Sequence, residues 1–257
     1  MQKKSLILPG LSLLFGAAGF FLRGAELRTA FEPVTGLFIA GKPATAALII
    51  LSVVFAALCI LLLLRERGKL SVPDSFSAAF NCAGPSGFVF FAAYCASAAL
   101  MLAGGVAHLL ASPQKLGLVF AVLSAVAGIC VFLRALALLR SGGSTRLCNA
   151  VMVIFFCLFL VEVYRGHTSD PTLLNFAYSI LALVFSLLAA YYCAGFDFGR
   201  KDAYKAMFCC AEAAYFCFVI FADSFALYTK LLIAAAFLFS LTNLALLRSS
   251  CARGSET

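Results

Sequence analysis

The stretch "MFCCAEAAYF", Met207 to Phe216, sets one carboxyl group, Glu212, among small and apolar side chains. An ionisable residue inside a long apolar run costs about 2.5–3.5 kcal/mol on insertion scales, which makes it a candidate substrate or proton site. Counted from Tyr204 at about 1.5 Å per residue, Glu212 lies about 12 Å deep. That is too deep for the side chain to reach water, so it must be protonated, paired with a polar group or placed in a hydrated cavity. Arg134 lies inside a second run, near its end. Its guanidinium either snorkels outward on its aliphatic stem or turns inward toward Glu212 at similar depth. Tyr94 and Tyr215 sit deep in runs of their own, and each buried phenol needs a hydrogen-bond partner. These four residues form the candidate substrate or proton site. The competing reading is a set of polar contacts that hold helices in register.

Other chemistries lack their residues. No nucleophile elbow, H-E-x-x-H or P-loop occurs, which leaves enzyme the weakest of the classes considered. The only two histidines, His108 and His167, fall at the margins of apolar runs, whereas a haem anchor carries its axial histidines within the bundle. Of the 11 cysteines most lie inside apolar runs and none forms C-x-x-C; buried thiols of this kind act as small apolar residues. Neither a metal nor a cofactor is expected.

The elements that must position these residues follow from composition. Hydrophobic residues make up 64% of the 257 and charged residues 12%, against about 25% charged in soluble domains. Mean hydropathy is +1.06. Eight apolar runs of spanning length can be delimited: 5–22, 44–64, 86–111, 116–139, 147–164, 172–194, 204–222 and 225–247. None shows the alternation of a membrane β-strand. The expected fold is all-α, a polytopic transmembrane bundle of about eight spans forming a single integral domain over 1–257. The basic start followed by an apolar run reads as a retained first helix rather than a cleaved signal peptide.

Thirteen Lys and Arg residues fall on the side of the amino terminus and six on the other. The positive-inside rule then makes both termini cytoplasmic in a cell membrane. The formal charge of +8 suits basic loops at anionic headgroups and calls for no nucleic-acid partner. The expected partners are the bilayer, a small-molecule or ion substrate, and a protein at the outer loop. "LALLRS" ends both the fourth and the eighth run, "AAYC" and "AAYF" open into the third and seventh, and "LRG" and "YRG" close the first and fifth. These echoes point to two four-helix halves, 1–141 and 147–249. Ala99, Ala103, Gly104 and Gly105, with Ala234, Ala235 and Ala236, are the expected close helix contacts.

Two connections stand out. "AELRTAFEPVTGLFIAGKPAT", residues 25–45, is the long outer one; Glu32, Pro33, Gly36 and Gly41 mark it as a lid or docking surface. A strand-like hairpin turning near Thr35 and Gly36 is expected, its apolar part lying back on the bundle, with Pro43 opening the second span. In "SVPDSFSAAFNCAGPSG", residues 71–87, the i, i+4 pair Phe76 and Phe80 predicts a short helix lying in the interface. Glu162 and Arg165 are spaced for a local ion pair, and Asp223 and Lys230 flank a tight outer turn where water can solvate them. The function read from this pattern is a small-molecule or ion permease with a polar site inside the bundle. The alternative is a non-transporting anchor or subunit that binds a partner through its outer face.

Overall fold

The computed structural model describes residues 7–32, 37–67, 72–73, 76–80, 86–111, 115–140, 146–166, 173–200 and 202–253. Among them are eight helices long and apolar enough to cross a membrane: α1 (Ile7–Thr29), α2 (Pro43–Glu66), α4 (Ser86–Ala111), α5 (Lys115–Arg140), α6 (Arg146–Gly166), α7 (Leu173–Gly195), α8 (Ala203–Val219) and α9 (Leu227–Arg253). A five-residue helix, α3 (Phe76–Phe80), precedes α4. The chain is an all-α polytopic bundle, as its composition predicts.

α1 runs past the expected boundary at Leu22 to Thr29. The polar residues that resemble a loop are helical because Arg23 and Glu26, spaced i, i+3, close an ion pair of 2.7 Å on the buried face. Pro43 opens α2 at its first turn, where its missing N–H costs nothing.

Packing runs α2 to α1 to α8, on through α7, α6, α5 and α4, then to α9 and back to α8. α8 is therefore central, with 72% of its spanning window buried against 22% for α2. Small residues permit this. A methyl group added at Gly16 or Gly19 of α1 would lie 2.9 Å from Phe218 Cβ or 2.6 Å from Val219 Cγ2. One added at Gly104 would lie 2.7 Å from Leu232, and one at Gly128 would lie 3.0 Å from the Ala98 carbonyl oxygen. Two of the expected contact residues are displaced: Ala99 and Ala103 are exposed, and Ser97, Ala98 and Met101 face inward instead, while Gly104 and Gly105 are buried as expected. Ala235 and Ala236 are buried as expected, while Ala234 is half-buried.

The expected hairpin is present on either side of its turn. Phe31 and Phe38 form an antiparallel bridge; Glu32 N–H donates to Leu37 O at 3.0 Å and Ile39 N–H to Ala30 O at 2.8 Å. Its turn, with Pro33 and Gly36, lies outside the described residues. Gly41 has φ +83° with open space around it, a left-handed position that suits glycine. The apolar arm does not lie back on the bundle: Leu37, Ile39 and Ala40 are exposed, because Phe38 spends its ring on Phe31 at 5.9 Å. The end of the bundle that carries this connection is called the hairpin end below.

Candidate functional site

The four candidate residues separate into two pairs. Glu212 lies at mid-length in α8, 1% exposed, and its Oε1 has no hydrogen-bond partner. Cys59 of α2 and Cys209 and Tyr215 of α8 stand within its electrostatic reach. Tyr215 OH lies 2.8 Å from Ser52 Oγ. Since Ser52 donates its only proton to Leu48 O at 2.9 Å, Tyr215 is the donor. Its ring stacks on Phe55 at 4.8 Å.

Arg134 does not pair with Glu212. Its guanidinium donates to Asn149 Oδ1 at 3.0 Å and to Asn243 Oδ1, and Tyr94 OH donates to that same Asn243 oxygen at 2.7 Å. Asn149 in turn donates to Asp197 Oδ2. The rings of Phe76, Phe80, Tyr94 and Phe239 surround the cation with centroids 4.8–5.3 Å from its carbon. Arg134 is 3% exposed, so it does not snorkel. It takes the inward course toward two amide oxygens and four π faces, with no directly bound carboxylate and with Nε left without a hydrogen-bond partner. This corrects the interfacial reading of α3. Phe76 and Phe80 lie tilted against each other at 4.6 Å and are buried, because the buried cation offers them a better surface than headgroups do.

Three further polar contacts lie at the helix ends. Asp223 is not solvated: it is 6% exposed and accepts from Arg23 Nε at 2.8 Å, while Arg23, wholly buried, also holds Glu26 and lies 5.0 Å from the Tyr178 ring centroid. Arg248 pairs with Glu66 at the opposite end. The expected Glu162–Arg165 pair forms at 3.8 Å. Sequence reasoning missed Arg23 because it stood beside a glycine at an expected span end. Asn149 and Asn243 carry no charge to mark them, yet an amide inside an apolar run is a signal in its own right, since it bonds across helices.

A cleft of about 560 Å³ opens between α2, α7 and α8 toward the end opposite the hairpin. Its walls are apolar, including Ile60, Leu63, Leu188 and Phe208, and Arg67, Asp202 and Lys205 stand at its mouth. Cys209 lines it, and Glu212 follows one helical turn further into the bundle on the same helix. Among the described residues no group of three His, Cys, Asp or Glu side chains is placed to hold a metal ion. Comparison with protein-family models, curated proteins and solved structures finds no match to this chain. The fold defines the class: a multi-pass membrane protein.

Proposed function

We propose that the protein is a membrane permease for a small amphiphile, with the α2/α7/α8 cleft as its way in and Glu212 as its polar site. The observation that supports this most is the cleft itself, apolar along its walls, charged at its mouth and ending one turn short of a buried carboxyl. Such a carboxyl is neutralised either by a proton or by a cation. A lipophilic cation therefore matches both cleft and carboxyl, and exchange of one monocation for one proton at Glu212 keeps the buried charge constant. Tyr215 steadies the site through Ser52. Arg134 and Tyr94 serve as the clasp of the α4, α5, α6 and α9 side, against which the lightly packed α2 moves. With both termini cytoplasmic in a cell membrane, the mouth faces the inner leaflet.

The test is accumulation of fluorescent lipophilic cations in cells that express the protein. Wild type should change steady-state accumulation of at least one dye, and Glu212→Gln and Leu188→Trp, at equal membrane levels, should abolish the change. No change with wild type across the panel, or full activity in Glu212→Gln, would overturn the proposal. The exposed Leu37 and Ile39 favour a second reading, a partner-binding subunit docked through the hairpin. In that case wild type leaves dye accumulation unchanged, and deletion of residues 32–42 abolishes partner capture.

A further inference from the structure

A second cavity, of about 230 Å³, lies at the hairpin end between α5, α6 and the start of α9. Phe120, Phe159, Tyr228 and Thr229 line it, with Glu162 as the carboxylate. Behind it stands His108, wholly buried, its ring 4.9 Å from Phe120 and 4.6 Å from Tyr228, perpendicular to the latter. Neither ring nitrogen has a hydrogen-bond partner, and Nε2 lies 3.4 Å from Glu162 Oε1.

The side chains at this space include the Glu162 carboxylate, the Thr229 hydroxyl and the rings of Phe120, Phe159 and Tyr228. The carboxylate and the threonine hydroxyl can accept, and the faces of aromatic rings carry negative quadrupole potential. Two nitrogens approach the carboxylate: His108 Nε2, 3.4 Å from Oε1, and Arg165, 3.8 Å from Oε2 with its side chain 55% exposed. Arg165 approaches from the solvent side and leaves Oε1 turned toward His108. A carboxylate backed by aromatic rings is the chemistry that recognises ammonium ions. The volume is below the ~300–1,000 Å³ of pockets for drug-sized ligands, so the ligand is small.

We infer that this cavity binds a small organic ammonium ion, its nitrogen held against Glu162 with Phe120, Phe159 and Tyr228 around it. The site shares no lining residue with the α2/α7/α8 cleft and stands or falls separately from the permease reading. The test is calorimetric titration of the full-length protein in detergent with propylammonium chloride, against sodium chloride and sodium propionate at equal ionic strength. Wild type should show saturable binding of propylammonium alone. Glu162→Gln should weaken it by at least about tenfold. Absence of saturable binding in wild type, or equal binding by Glu162→Gln, would overturn the inference. Should Glu162→Gln fail to fold, Ala226→Trp at the exposed rim fills the cavity without touching Glu162. Loss of binding then supports the site and retention refutes it.

Discussion

Helix α1 carries a built-in comparison, because four of its glycines differ only in what surrounds them. A Cβ at Gly10 or Gly24 meets nothing within 4 Å. At Gly16 it would lie 2.9 Å from Phe218 Cβ, and at Gly19 it would lie 2.6 Å from Val219 Cγ2 and 3.4 Å from the Tyr215 hydroxyl. Carbon atoms in contact prefer about 3.5–4.0 Å, so alanine at Gly19 requires α1 to withdraw from α8 by about 1 Å. Neither neighbour can yield by itself: one is the first carbon of its side chain and the other a β-branched methyl with a stiff χ1. A withdrawal of that size, one turn before Arg23, also stretches the 2.8 Å bond from its Nε to Asp223 beyond hydrogen-bond length. Overpacking alone costs about 1–3 kcal/mol. Alanine at the open positions should instead stabilise by about 0.5–1 kcal/mol, because it removes a helical glycine. With no Trp in the chain, the assay is far-UV circular dichroism during titration from mild detergent into dodecyl sulfate. Gly16→Ala and Gly19→Ala should unfold earlier than wild type, and Gly10→Ala and Gly24→Ala no earlier. If all four behave alike, α1 and α8 do not meet in a close seam.

Other outcomes follow from the polar contacts. Asn243→Leu removes the oxygen shared by Arg134 and Tyr94 and should lower stability by about 3 kcal/mol, against about 1 kcal/mol for Tyr94→Phe, as expected when one bond is charge-assisted and the other neutral; the same detergent titration measures both. Arg23→Met leaves Glu26 and Asp223 buried without their cation and should cost about 3–5 kcal/mol, whereas the triple change Arg23→Met, Glu26→Leu, Asp223→Leu should recover most of it. Membrane yield and unfolding midpoint report this difference. In the hairpin, the bond pattern makes Phe31 and Phe38 a non-hydrogen-bonded pair, with Cα atoms about 4.5 Å apart, within disulfide range. Phe31→Cys with Phe38→Cys should crosslink under mild oxidation, and peptide mass mapping should find that bond in preference to any with a native thiol, of which Cys157 is the exposed one among the described residues.

Much of the architecture is legible in the residues, because a membrane span needs length and apolarity and little else. Pro43 announces the second span, and Tyr94 and Tyr215 each find the partner that a buried hydroxyl requires, in Asn243 and Ser52. Helix faces are the part that does not read out. In α4 the lipid-facing and protein-facing sides are both apolar, so nothing in the string distinguishes Ala99 and Ala103, which face out, from Ala98 and Gly104, which face in. Long-range polar pairing is equally hidden. Arg23 and Asp223 are 200 positions apart, and each by itself reads as a solvated residue at a span end. Arg134 had a carboxylate at similar depth as an apparent partner, and only the packing of α4, α5, α6 and α9 reveals that two amides and four rings claim it first. The cleft is a property of the gap between α2 and α7, which no local pattern encodes.

Photolabelling with a diazirine-bearing phosphonium cation in reconstituted vesicles, read residue by residue by mass spectrometry, tests the cleft and its carboxyl together. Wild type should carry adducts on Leu63, Leu188, Phe208 and Cys209 in excess of the lipid-facing Ile50 and Val53 of α2, and Glu212→Gln should lose that excess. Uniform labelling of α2 in both proteins, or undiminished cleft labelling without the Glu212 carboxylate, would contradict the proposed site.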